Sequence, residues 1–108
     1  MGLLFWKDNK DIDLFAQGVA DDLFSHINPE AARDFTSGAT KATKKQKIKV
    51  EKKLSDVVLQ IQRFSKEHSL GVYGKARLQQ TFNERLNELG YSPEVVNKLA
   101  ESILLRNL

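Results

Sequence analysis

His26 and His68 are the two histidines of this sequence, the residue type that most often serves as acid, base or metal ligand, and they stand 42 positions apart. Asp22 precedes His26 by one helical turn, a spacing that sets two metal ligands or an ion pair on one helix face. A histidine near a helix C-terminus is already explained by the helix dipole, and the same holds for His68. Asp8, Asp11 and Asp13 lack the glycine and the distal bidentate glutamate of a calcium loop, so they read as the acidic start of a helix. The chain has no cysteine, which removes disulfides, thiolate metal sites and cysteine nucleophiles together. It shows no phosphate-binding Walker sequence, nucleophile elbow or zinc spacing. The expectation is a protein that is not an enzyme and needs no cofactor or metal.

Lysine is where the chemistry concentrates. Residues 41–53 hold Lys41, Lys44, Lys45, Lys47, Lys49, Lys52 and Lys53 against Glu51 alone, a balance of +6. Residues 1–40 sum to −4 and residues 54–108 to +1, so the net charge of +3 is the work of one 13-residue tract. An electrostatic partner belongs there. Several of these lysines fall at the N-terminal end of an expected helix, where the dipole disfavours cations. Bound phosphates or a carboxylate-rich partner would offset that penalty, and Asp21 and Asp22 offer such carboxylates within the same chain. The tract has no interleaved aromatic residues of the kind that stack single-stranded bases.

A second basic feature is Gly71-Val72-Tyr73-Gly74-Lys75, which opens a helix and is followed by Arg77. Amides at a helix start beside Lys75 and Arg77 form a candidate anion site. The run resembles the G-h-G hairpin of helix-hairpin-helix DNA-binding modules, with two residues between the glycines in place of one. The favoured expectation is structural: a tight turn in which both glycines take positive backbone dihedrals. Residues 82–99 contain Leu86, Gly90, Tyr91, Ser92, Val96 and Leu99 at the spacing of a helical hairpin. This segment resembles a helix-turn-helix motif, with Leu86 where such motifs usually have alanine. The resemblance implies a DNA-reading second helix, but that helix presents Glu94 and Glu101 beside Asn97 and Lys98.

The elements that must carry these groups all read as helices. The chain is 41% apolar and 29% charged over 108 residues, which suits a single domain spanning 1–108 with one core. Ile12, Ala16, Val19, Leu23 and Ile27 step by three and four, widened by Phe15, Ala20 and Phe24. Asp8 or Asn9 is the expected cap of that helix, and Asn28-Pro29 ends it and starts a short helical turn near 29–34. Residues 36–47 form a polar, lysine-rich connection of loop composition. Val50, Leu54, Val57, Ile61, Phe64 and His68 then form a near-heptad seam, broadened by Ile48 and Val58. Leu78, Phe82, Leu86 and Leu89 mark the next helix, stopped at Gly90, and Ser92-Pro93-Glu94 starts the last. The prediction is an all-α bundle of four main helices, about 10–27, 45–68, 75–89 and 93–106, plus the short turn.

Residues 1–8 form an apolar N-terminal arm in which Leu3, Leu4, Phe5 and Trp6 are candidates for packing on the domain or docking a partner. Lys7 and Asp8 end that run far short of a signal sequence or membrane span, and a cytoplasmic location is expected. The reading that follows is a small helical interaction protein that binds an unknown protein or a second copy of itself. The alternative is a nucleic-acid-binding accessory protein using residues 41–53 and the hairpin at 82–99.

Overall fold

The apolar stripes fold into five helices in the computed structural model, which describes residues 2–36 and 43–106, and the side chains of 9–36 and 43–103. They are α1 (Gly2–His26), α2 (Pro29–Thr36), α3 (Lys44–Glu67), α4 (Val72–Glu88) and α5 (Pro93–Arg106), with no strand among the described residues. The all-α bundle of four long helices and one short one is as the periodicity predicts. Three helix starts move, that of α4 from the expected 75 to Val72. Helix α1 begins at Gly2 and runs straight through Asp8 and Asn9, because no breaker separates the apolar run from the stripe. The backbone of Leu3, Leu4, Phe5 and Trp6 is therefore helix, continuous with the rest of α1, and their side chains lie outside the described residues.

Helix α3 also starts inside the expected loop. Thr43 accepts a hydrogen bond from the Gln46 amide at 3.1 Å while Gln46 Oε1 accepts from the Thr43 amide at 2.9 Å. This reciprocal capping box commits Lys44, Lys45 and Lys47 to helix. Residues 37–42, and with them Lys41, lie outside the described residues.

The most extensive packing joins α1 to α4. Ala16 and Ala20 are fully buried and let the two backbones approach, and Ile12, Val19 and Leu23 meet Leu78, Phe82 and Leu86 in one core. Asp13 pairs with Arg77, Asp21 with Arg85 and Ile27 with Tyr91, each separated by 64 residues. A constant offset means that α1 and α4 run parallel at the same height. Lys53 meets Asp22 and Phe64 meets Phe15, so α3 runs antiparallel to α1 and carries the chain back to the level where α4 begins. Val50, Leu54, Val57 and Ile61 of α3 and Val96, Leu99 and Ile103 of α5 complete the core.

The offset of 64 is also written in the sequence. Ile27-Asn28-Pro29-Glu30 corresponds to Tyr91-Ser92-Pro93-Glu94. Asn28 Oδ1 accepts from the Ala31 amide at 2.8 Å, and Ser92 Oγ accepts from the Val95 amide at 3.3 Å. Each half is thus a long helix, a capped proline turn and a shorter helix. Corresponding positions touch, as positions related by a two-fold axis do: the Tyr91 hydroxyl donates to the Ile27 carbonyl, which would otherwise be buried without a donor.

The junction between α3 and α4 corrects the glycine expectation. Neither Gly71 nor Gly74 has a positive φ; the left-handed residue is Ser69, at φ 49°. The Leu70 amide donates to the Ser65 carbonyl and the Ser69 amide to that of Lys66, the two bonds of a Schellman ending. Gly74 is glycine for space, since a Cβ there would lie 3.0 Å from Leu70 Cδ2. Gly90, at φ 106°, fills the equivalent left-handed position after α4.

Replacing Ser69 by glycine removes the left-handed penalty and is expected to stabilise the fold by about 1 kcal/mol, a rise of roughly 4–8 °C in Tm by calorimetry. Tyr91→Phe is expected to cost about 1–2 kcal/mol in urea unfolding, through the unsatisfied Ile27 carbonyl. Burial pushes the Tyr91 phenol up from 10.0 to about 12. A raised phenol contributes stability that is complete below pH 10 and lost as pH rises through the folded value. Wild type should therefore lose stability between about pH 10 and 12 by this route, and the phenylalanine variant should lack that component.

Candidate functional site

Once the chain is folded, the cations divide into two groups. Arg77 forks onto Asp13, with Nε and Nη2 donating at 2.9 and 2.8 Å, and the Thr81 hydroxyl donates to the same carboxylate at 3.0 Å. Arg85 Nε donates to Asp21 at 2.8 Å. Lys53 donates to Asp22 at 2.5 Å and to Asp56 at 3.2 Å, and Gln60 supports Asp56 at 2.9 Å. Asp22 therefore does answer the lysine tract, but through one lysine only, while Asp21 turns to α4.

Lys44, Lys45, Lys47, Lys49 and Lys52 form the second group. All five are exposed, and among the described residues none has an acidic partner within ion-pair distance. Lys47 and Lys49 border an open cleft of about 310 Å³ whose opposite wall includes Glu30, Asp34 and Phe35 of α2. Of the residues singled out for anion contact, Lys53 and Arg77 are thus committed to interhelical pairs. Lys75 is exposed on the first turn of α4, on a different helix from the lysine tract, and the structure does not join it to Arg77 as an anion cradle.

Residues 82–99 do form a packed hairpin, with Leu86 fully buried between α4 and its neighbours and Val96 and Leu99 anchoring α5. The outer face of α5 carries Glu94, Asn97, Lys98 and Glu101. Its one lysine is drawn 3.2 Å from the Thr36 carbonyl and 4.0 Å from Glu94. The face thus carries two carboxylates to one lysine. The histidines have local partners: His26 Nδ1 sits 2.9 Å from the Asp22 carbonyl, and the His68 ring lies on Phe64, which itself stacks on Phe15 at 4.0 Å. Among the described residues no group of three or more carboxylate or histidine ligands converges on a metal-sized space, and no helix is long and apolar enough to cross a membrane.

Two apolar residues are misplaced by the sequence pattern: Phe24, expected to widen the core stripe of α1, is exposed and meets Tyr91 edge-on, and Ile48 is the other. It was expected to broaden the core seam, yet it is 56% exposed among the lysines, and Leu59 on the same outer side of α3 is 60% exposed. The signal was present in the spacing: at 100° per residue, both positions point away from Val50, Leu54 and Ile61. Comparison of the chain with protein-family models, with curated proteins and with solved structures gives no match.

The paired carboxylates give the fold an acid-labile seam. The hydrogen bond from Arg77, aided by Thr81, holds the Asp13 carboxyl below its ordinary value against the opposing effect of burial. Lys53 does the same for Asp22. For Lys53 burial is the largest single influence and pulls downward, but the combined bonds and charges of Asp22 and Asp56 outweigh it and hold the ammonium above its ordinary range. A depressed carboxyl stabilises the fold above its unfolded value and loses that contribution as pH falls through the folded one. Thermal stability is therefore expected to fall below about pH 4. In a scan from pH 6 to 2.5, Asp13→Asn/Asp22→Asn should start lower and show a shallower acid decline than wild type.

Proposed function

We propose that this chain is a non-enzymatic helical interaction protein that docks a carboxylate-rich partner through the exposed lysines of α3. The observation that carries this reading is the division of cations: the interhelical pairs use Lys53, Arg77 and Arg85, and five neighbouring lysines are left in solvent on one helix. Like charges crowded at the positive end of a helix destabilise it, and a bound anion reverses the sign of that effect. A cytoplasmic setting and a protein partner belong to this reading; self-association is the variant in which the partner is a second copy.

Nucleic acid is the second reading, favoured by the same five lysines, which lie within nine residues on a rigid helix. It rests on α3 and not on α5, whose outer face is acidic on balance.

Titration of poly-glutamate and of a 20-base-pair duplex into the full chain, followed by anisotropy at several salt concentrations, tests both. Poly-glutamate binding that weakens at least about tenfold in Lys44→Gln/Lys45→Gln/Lys47→Gln/Lys49→Gln is the expected result. Tighter duplex binding, with a log K against log salt slope that falls by about 3–4 in the variant, would select the second reading. Undiminished binding by the variant would overturn both.

A further inference from the structure

Helix α3 carries two stripes. The inner one, Val50, Leu54, Val57 and Ile61, is buried. The outer one lies half a turn away and steps by three, four and seven residues through Lys45, Ile48, Lys52, Leu59, Arg63 and Lys66. All six are exposed, and among the described residues its four cations have no acidic partner. The stripe itself contains no acid; Asp56, on its flank, is held by Lys53 and Gln60.

Resting on the reading of α3 as the docking surface, we infer that its occupant is an acidic amphipathic helix of a partner protein, laid along this outer stripe. Three features select that chemistry. The steps of three, four and seven match the seam presented to another helix, as in helix-in-groove and coiled-coil contacts. Ile48 and Leu59 are eleven residues apart, three full turns and about 16 Å, so a straight partner helix meets both with apolar residues eleven apart. The cations around these two knobs require carboxylates on the facing helix.

The alternatives fit less well for stated reasons. A second copy of the same stripe would set lysine against lysine. Phosphate gains nothing from aliphatic side chains standing among the cations. Two aliphatic residues give a bilayer little apolar area to hold.

The test uses the full chain and a fluorescent 25-residue helical peptide bearing two leucines eleven positions apart, with glutamates three and four residues from each. A second peptide has both leucines replaced by serine. At physiological salt the leucine peptide should bind about tenfold more tightly than the serine peptide, and Leu59→Ser in the protein should remove most of that difference. Lys45→Gln/Lys52→Gln should weaken both peptides. Equal binding of the two peptides, or a leucine preference that survives Leu59→Ser, overturns the inferred occupant. Tighter capture by phosphatidylserine vesicles or by the duplex overturns it likewise. If binding of every anion falls in Lys45→Gln/Lys52→Gln while Leu59→Ser changes nothing, the docking surface stands and this occupant falls. If neither variant alters binding, the docking surface itself is wrong.

Discussion

The parallel pairing of α1 with α4 is the constraint on which the rest of the molecule depends. Two parallel helices place like dipole ends side by side, a repulsion that antiparallel neighbours avoid. Here the contact is held by an apolar seam that includes two fully buried alanines, and by carboxylates of α1 facing guanidinium groups of α4 at matched heights. Parallel neighbours also cannot be joined by a short turn. The chain must travel back along the whole contact before α4 can start, and α3 is that return path. Its 24 residues, about 36 Å, follow from the topology.

This origin accounts for the surface of α3. A helix packed against α1 and α5 buries one stripe and leaves the opposite side in solvent. Helix α1 supplies Asp22 to a lysine at the edge of that stripe, and it has no reach to those further round the helix. The division of cations is therefore geometric: position on the helix decides which lysines the fold uses. The residues that remain form a surface whose composition the core does not dictate.

Much of the fold was legible because helix periodicity is a local property. The stripes of α1, α3, α4 and α5, both capped prolines and the stop at Gly90 follow from spacing and cap chemistry within a few residues. What depends on distant partners was not. Nothing near Arg77 announces Asp13, so a basic residue after a glycine pair resembled an anion contact. Ile48 resembled core because it is apolar, although its angle around α3 sets it outside. Gly74 was read as a turn residue, when it sits inside α4 with Leu70 so close that a Cβ would have to push it aside by a few tenths of an ångström. The correspondence between residues 27–30 and 91–94 was visible in the letters, and only the shared register of α1 and α4 shows that it is architectural. Of the candidate surface, the identity of the lysines was readable, and their availability was not.

The 64-residue offset also has a kinetic side. Closing the α1–α4 contact means ordering a long loop first, and loop closure of this kind slows folding more than it weakens the final state. During synthesis the apolar stripe of α1 leaves the ribosome well before its counterpart exists. Until α4 has been made, Ile12, Val19 and Leu23 lack the helix against which α1 packs most extensively. The nascent chain thus passes through an interval in which its most hydrophobic helix is half covered, and its dependence on chaperones should be greatest in that interval.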